Sequence, residues 1–392
     1  MPSDRPGERP VRELTLVASD VAPIGGMEGV AFELASRLLG RGWVVTVLAR
    51  SCALEAQPRL RFVRLRSPSR PVSAALLGDF VHASLVLRRQ ARGLVQTNNA
   101  VIANRVDVIN VHFCERAYAE RVGISRSRRP TAAHRLNSWF VSAWSRAMER
   151  WCYRPGRVGA LTCVSRGVAR EIRTFYPAVA ERTRVIPNGV DRDRFALDDP
   201  TRRRARAALG LGEHDRVALF VGGDWHRKGL RHAIGGVAGA PEWRLVVVGT
   251  GDEPGFRALA RSRGAEDRVR FEGHQPDPRP YYAAADILLF PSSYEAFSLV
   301  TLEACASGLP LVVPRINGTE ELVQDGVDGW FTEADGASIA ARLDALGAHP
   351  EELSAARLAA RNASEGYDWE DVVDRYEALY AELAGDTTIR GA

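Results

Sequence analysis

Two successive runs of short apolar strands alternating with amphipathic helices predict an α/β chain built on two parallel sheets. Three observations carry this. Runs such as Ile287-Leu288-Leu289-Phe290 are apolar throughout, as strands covered on both faces are. The alternation restarts after Val185-Ile186-Pro187-Asn188-Gly189-Val190-Asp191, whose Asn-Gly turn and following prolines and charges to Pro200 read as a linker. The length of 392 residues also suits two or three domains, at roughly 150 residues each.

Composition narrows the class. With 45% hydrophobic and 26% charged residues the chain can bury a sizeable core. No stretch approaches the ~18 apolar residues of a membrane helix, and the opening residues lack a signal-peptide core, so the expected location is cytoplasmic. Five cysteines form no metal-ligand spacing and are expected to be reduced and buried. The net charge of +5 comes almost wholly from arginine, Lys228 being the single lysine, and gives no reason to expect nucleic acid. The clusters Arg126–Arg129 and Arg202–Arg206 read as solvated faces or as contacts for anionic lipid.

In chain order, Leu14–Ala18 is a first strand. It runs into Gly25-Gly26 and a helix with Val30, Leu34, Ala35, Leu38 and Leu39 on one face. Val44–Leu48 is the second strand, closing a βαβ unit that lacks dinucleotide GxGxxG spacing. Leu60–Leu65 alternates like a half-exposed strand, and 81–94 looks helical. Val108–Val111 is a strand ending in His112 at its carboxyl edge, either a structural histidine or a ligand contact. Leu136, Phe140, Trp144, Met148 and Trp151 recur at helical spacing, which serves core packing or membrane-surface attachment. Ser165 is placed to cap the helix that follows Val158–Val164.

The second half opens with Val217–Gly222, then a loop holding Arg227, Lys228 and Gly229 before a helix from Leu230. Leu245–Gly249 and Val269–Gly273 are further strands. After Phe290 a loop carries Glu295, followed by a short helix from Ser298 to Ala306 closed by Gly308, and then the strand Leu311–Val313. In such sheets ligands sit at the carboxyl ends of strands, where Glu295 falls. The amides of Phe297, Ser298 and Leu299 open that helix as donors suited to an anionic or polyhydroxylated ligand. Carboxylates at Glu295 and Glu303 suit vicinal hydroxyls of a sugar or ribose. The alternative is that Glu295 caps the helix and Glu303 is solvated.

The stretch YEAFSLVTLEACASGLPLVV resembles the Glu-x7-Glu signature of retaining GT-B glycosyltransferases of family 4. The following NGTEELVQDGVDGW resembles that family's continuation, with Asn317 and Glu320 replacing a Gly and a Pro. The Val185–Asp191 segment is also similar to its interdomain segment. The resemblance implies two Rossmann-like domains facing a central cleft. The first would take 1–190, with 368–392 crossing back as a terminal helix, and the second 191–367. It implies a retaining, metal-independent hexosyltransferase, consistent with the lack of a suitably placed Asp-x-Asp. No cofactor would be needed beyond a UDP- or GDP-linked sugar as co-substrate, transferred to a glycan, lipid or small-molecule acceptor.

On this resemblance Lys228 and Arg227 face the diphosphate, with the Gly25-Gly26 backbone on its other side and Gly222 ending the strand beside it. Glu295, the 297–299 amides and His112 go to the donor sugar, and Glu303 to the ribose. Many members carry an arginine where this chain has Gly223, so Arg227 is the expected second cation. A sugar-nucleotide 2-epimerase and a non-catalytic nucleotide-sugar-binding protein share the two-domain plan and stay open at this point.

Overall fold

The computed structural model describes residues 12–68, 71–121 and 132–385. Its contacts divide the chain into two compact units, Met1–Pro187 with Trp369–Ala392, and Asn188–Asp368. The first unit holds a seven-stranded sheet in the spatial order Leu60–Arg64, Val44–Ala49, Glu13–Val17, Leu94–Asn98, Val106–Val111, Val158–Cys163, Thr183–Val185. The second holds six strands, Val269–Gly273, Trp243–Val248, Arg216–Val221, Ile287–Leu289, Leu311–Val313, Gly329–Phe331. All pairings within both sheets are parallel.

Both sheets start in the middle, build to one side, then return to build on the other. This is the doubly wound Rossmann order, and ligands bind where the order reverses. In the second unit Leu219 pairs with Leu288 at that point, so the loops after Arg216–Val221 and Ile287–Leu289 are neighbours. In the first unit Val17 pairs with Thr97, which brings together the loops after Glu13–Val17 and Leu94–Asn98. The valine-rich strands are buried on both faces, and the second unit's core gathers Phe220, Trp225, Trp243, Ile234, Ile339 and Trp330.

Several sequence expectations are corrected. Residues 81–94 are not one helix: the helix is Val72–Gln90, and Leu94 opens a strand. That strand, LVQTN, shows no apolar run in the sequence, because Gln96, Thr97 and Asn98 interrupt it. All three are nevertheless buried, and the Tyr380 hydroxyl donates to Gln96 Oε1 at 2.6 Å. The Arg202–Arg206 cluster is only partly a solvated face. Arg206 is buried and donates to the carbonyls of Gly212 and Ala284, while Arg202 reaches Asp286 at 2.5 Å. Buried carbonyls and a carboxylate need donors, and a guanidinium supplies five. The Arg126–Arg129 cluster lies outside the described residues.

The closing helix Trp369–Gly385 packs in the first unit. Arg41 pairs with Glu370, Asp374 and Glu377, and Trp43 Nε1 donates to Glu377 Oε1 at 2.7 Å. Four cysteines are buried and Cys52 is half-buried, all as free thiols. No helix among the described residues is long and apolar enough to cross a membrane.

Candidate functional site

The reversal point of the second sheet gathers most of the singled-out residues. Strand Arg216–Val221 ends at Gly222, whose φ of +128° side-chain-bearing residues rarely adopt. The loop then runs to Gly229, which starts helix Leu230–Gly239. A β-carbon on Gly229 would strike the Pro291 carbonyl, so this loop lies directly against the one after Ile287–Leu289. Ser293 ties the two together by donating from its amide and its hydroxyl to the Arg227 carbonyl, at 2.9 and 3.0 Å.

Lys228 folds back into the space that Gly222 leaves. Its Nζ stands 4.7 Å over the Phe290 ring, a cation–π distance. Burial pulls its pKa down, against the pull of Glu295. Among the described residues it forms no ion pair.

Arg227 is committed differently. Its Nη1 donates to Glu295 Oε1 at 2.8 Å and to the Tyr294 carbonyl at 2.7 Å, and its Nε donates to Asp224 at 3.0 Å. Ser292 Oγ donates to the same Glu295 oxygen at 2.9 Å. Glu295 is therefore anchored in the loop by a cation and a hydroxyl, and does not cap the helix. That helix, Leu299–Ala306, has Ser298 at its N-cap position with no side-chain cap. The first amides thus stand at a positive helix end without a protein acceptor from the cap residue. Phe297 is stacked on Tyr367 at 5.7 Å between ring centres.

Glu303 is not a solvated side chain either. The Tyr282 hydroxyl donates to its Oε2 at 2.8 Å, and burial pushes its pKa up to about 7. Lys228, Arg227, Gly222, Glu295, Glu303 and the 297–299 amides all belong to this unit. Tyr282 and Ser292 are the partners that sequence reading missed. Tyr282 lies 21 residues before Glu303, with no periodic pattern to link them.

The remaining residues belong to the first unit. Gly25 carries the left-handed backbone, φ +92°, and a β-carbon there would stand 2.9 Å from the Glu28 carboxylate. Gly26 has ordinary φ, opens helix Met27–Gly40, and has nothing within 4 Å of where a β-carbon would be. His112 follows the strand Val106–Val111 and is 7% exposed. Burial pulls its pKa down to about 4, so it is a neutral imidazole at pH 7. Its ring lies 3.3 Å from Asn110 Nδ2, and its amide donates to Asn99 Oδ1 at 3.0 Å.

Comparison with known proteins matches the sequence to a family. Residues 24–194 match the model described as Glycosyltransferase Family 4, and residues 215–349 match Glycosyl transferases group 1. The chain belongs to the group 1, family 4 glycosyltransferases. Family 4 relatives include the D-inositol 3-phosphate glycosyltransferase of Geodermatophilus obscurus, 37% identical over 233 residues, which are 55% of this chain and 51% of that protein. The protein of the same name from Mycobacterium tuberculosis is 33% identical over 232 residues, 56% of this chain and 47% of its own length. The chain spans about half the length of the curated relatives it matches. Among solved structures, WaaG, a glycosyltransferase involved in lipopolysaccharide biosynthesis, superposes with TM-score 0.76 at 24% identity, over 95% of this chain and all of WaaG. HepE of Anabaena in complex with UDP-glucose superposes at 0.72 and 18% identity, over 94% of this chain and 99% of HepE. These likenesses establish the GT-B fold of the family 4 chain.

Proposed function

We propose that this protein transfers a sugar from a nucleotide-diphosphate sugar to a hydroxyl acceptor with retention of anomeric configuration. The observation that carries the reading is Lys228: a half-buried ammonium, outside any ion pair among the described residues, at a sheet reversal point beside Glu295 and Glu303. A cation held there without a carboxylate partner is suited to an anion that arrives with the substrate.

In this reading Lys228 binds the diphosphate and stabilises the charge that grows on it as the glycosidic bond breaks. Arg227 holds Glu295 in place and adds positive potential behind the diphosphate. Glu295 and the first amides of helix Leu299–Ala306 bind the donor sugar. Glu303, steadied by Tyr282, accepts from ribose hydroxyls. Gly25 and Gly26 offer backbone to the donor phosphates, and His112 acts as a neutral hydrogen-bonding group. No carboxylate is required as nucleophile and no metal is invoked.

UDP-glucose is the first donor to test, since a structural neighbour is known with it bound. The experiment is product NMR with UDP-glucose and an acceptor, in the presence and absence of EDTA. Release of UDP that depends on acceptor, with an α-linked first product and no loss in EDTA, supports the proposal. An inverted product sinks the retaining assignment, and conversion of the donor to an epimeric UDP-sugar without acceptor favours epimerisation. A peripheral membrane contact belongs to the same proposal, because Leu136 and Trp139 on helix Ala132–Cys152 are 67% and 55% exposed. Sedimentation with anionic vesicles at low and high salt tests it, and absence of binding at low salt removes it.

A further inference from the structure

We infer that the first unit contains a binding cavity for an uncharged molecule with an apolar or aromatic body and several hydroxyl groups. We further infer that this molecule is the sugar acceptor, a step that rests on the glycosyl-transfer reading above. The cavity, of about 240 Å³, lies at the reversal point of the first sheet, between the loops that follow Glu13–Val17 and Leu94–Asn98. That volume falls a little below the ~300–1,000 Å³ of drug-sized ligand sites and suits a small molecule.

Its two sides differ in chemistry. One is apolar: Val72, Leu76 and Phe80 come from helix Val72–Gln90, and Val141 and Trp144 from helix Ala132–Cys152. Phe80 and Trp144 meet edge to face at 5.4 Å, which makes a rigid aromatic wall. The other side is acidic. Asp20 and Asp79 are compensated by Arg50. Glu115 and Glu149 lie deeper, 9% and 4% exposed; Arg146 is near Glu115, while Glu149 forms no ion pair among the described residues. Glu149 accepts the Glu115 amide and the Tyr176 hydroxyl, both at 2.7 Å, and the Arg116 amide as well, which leaves its carboxylate capacity for a further donor. Burial pushes the Glu149 carboxyl up to about 7, a sign of how poorly this floor tolerates negative charge.

A phosphorylated ligand would bring like charge against these carboxylates in a water-poor space. Hydroxyl groups would instead donate to them, and an aryl or alkyl body would fill the space along Phe80 and Trp144. The cavity therefore selects against the kind of acceptor after which the inositol-phosphate relatives are named.

The test is calorimetric titration of the purified full chain with phenyl β-D-glucopyranoside as probe and D-inositol 3-phosphate as competitor. UDP is titrated in the same preparation. We expect the aryl glucoside to bind at least tenfold more tightly than D-inositol 3-phosphate, and to lose at least tenfold in Trp144→Ala. Ser145→Trp, which puts a large ring at a lining position of the cavity, should abolish aryl-glucoside binding, and it serves if Trp144→Ala does not fold. Tighter binding of D-inositol 3-phosphate, or an aryl-glucoside affinity unchanged in Ser145→Trp, overturns the inference. UDP binding with no aryl-glucoside binding defeats the cavity and leaves the donor reading intact. Aryl-glucoside binding without UDP binding does the reverse. With UDP-glucose added, glycosylation of the bound probe identifies it as acceptor; binding without product overturns that step.

Discussion

Gly222 leaves the space that Lys228 fills: a β-carbon at Gly222 would stand 2.5 Å from Lys228 Nζ and 2.9 Å from its Cε. The glycine therefore sets the position of the cation, and its φ of +128° is a second reason no larger residue fits. Gly222→Ala should cost about 1–3 kcal/mol in stability from backbone strain alone. It should also displace the ammonium and remove UDP-induced thermal stabilisation. Calorimetry with and without UDP checks both, and an alanine variant that still responds to UDP would place the anion site elsewhere.

Lys228→Met should lower kcat/KM by ~10²-fold or more, because a charge-assisted contact to a developing diphosphate is lost. Melting without ligand should stay level or rise, since a half-buried ammonium without an ion-pair partner is replaced by an apolar chain of similar length. Lys228→Arg should recover only part of the activity, as the planar guanidinium needs more room than the space beside Gly222 that the ammonium fills. Steady-state kinetics on both variants decides this.

Arg227 and Ser292 converge on one oxygen of Glu295, at 2.8 and 2.9 Å. Ser292→Ala removes the neutral donor and keeps the ion pair, so we expect a fall in kcat of roughly tenfold or less. Arg227→Met frees the carboxylate and removes positive potential, and should cost more, ~10²-fold or above. Equal effects from the two would show that Arg227 contributes only orientation.

Glu303 carries a pH signature. Its ordinary value is 4.5 and its folded value about 7. Below 4.5 it is protonated whether folded or not. Between 4.5 and 7 the unfolded chain releases a proton that the folded chain keeps, so stability falls as pH rises through this window and stays lower above it. Glu303→Gln should thus melt higher than wild type at pH 8 and alike near pH 4. Ribose hydroxyls favour the ionised form, so UDP affinity in wild type should weaken as pH drops below about 7. In Glu303→Gln that dependence should shrink to the part set by the terminal phosphate of UDP, which titrates at about pH 6, as titration calorimetry across pH 6–8 would show.

The Tyr380–Gln96 bond of 2.6 Å joins the closing helix to a central strand of the first unit. Tyr380→Phe leaves a buried amide oxygen without its donor, on a side chain whose nitrogen already lacks a partner. A loss of about 1–3 kcal/mol is expected in urea unfolding of the first unit. No change would mean that water takes the place of the hydroxyl.

Much of this protein could be read from order along the chain. Strand runs such as Val217–Val221 and Leu245–Val248, the turn glycines, and the spacing of Glu295 and Glu303 are local patterns, governed by backbone sterics and by burial of both sheet faces. They were sufficient for the α/β class, the two halves and the loop that carries Lys228. Other features depend on residues far apart in sequence. LVQTN sits between two parallel neighbours, and its buried Gln96 oxygen finds a donor in Tyr380, 284 positions later. Arg202 and Arg206 turn inward because the carbonyls of 283–285 need donors. Tyr282 reaches Glu303, and Arg227 reaches Glu295 across 68 positions. Buried polar groups must find partners wherever the fold brings them, and only chain folding sets which partners those are.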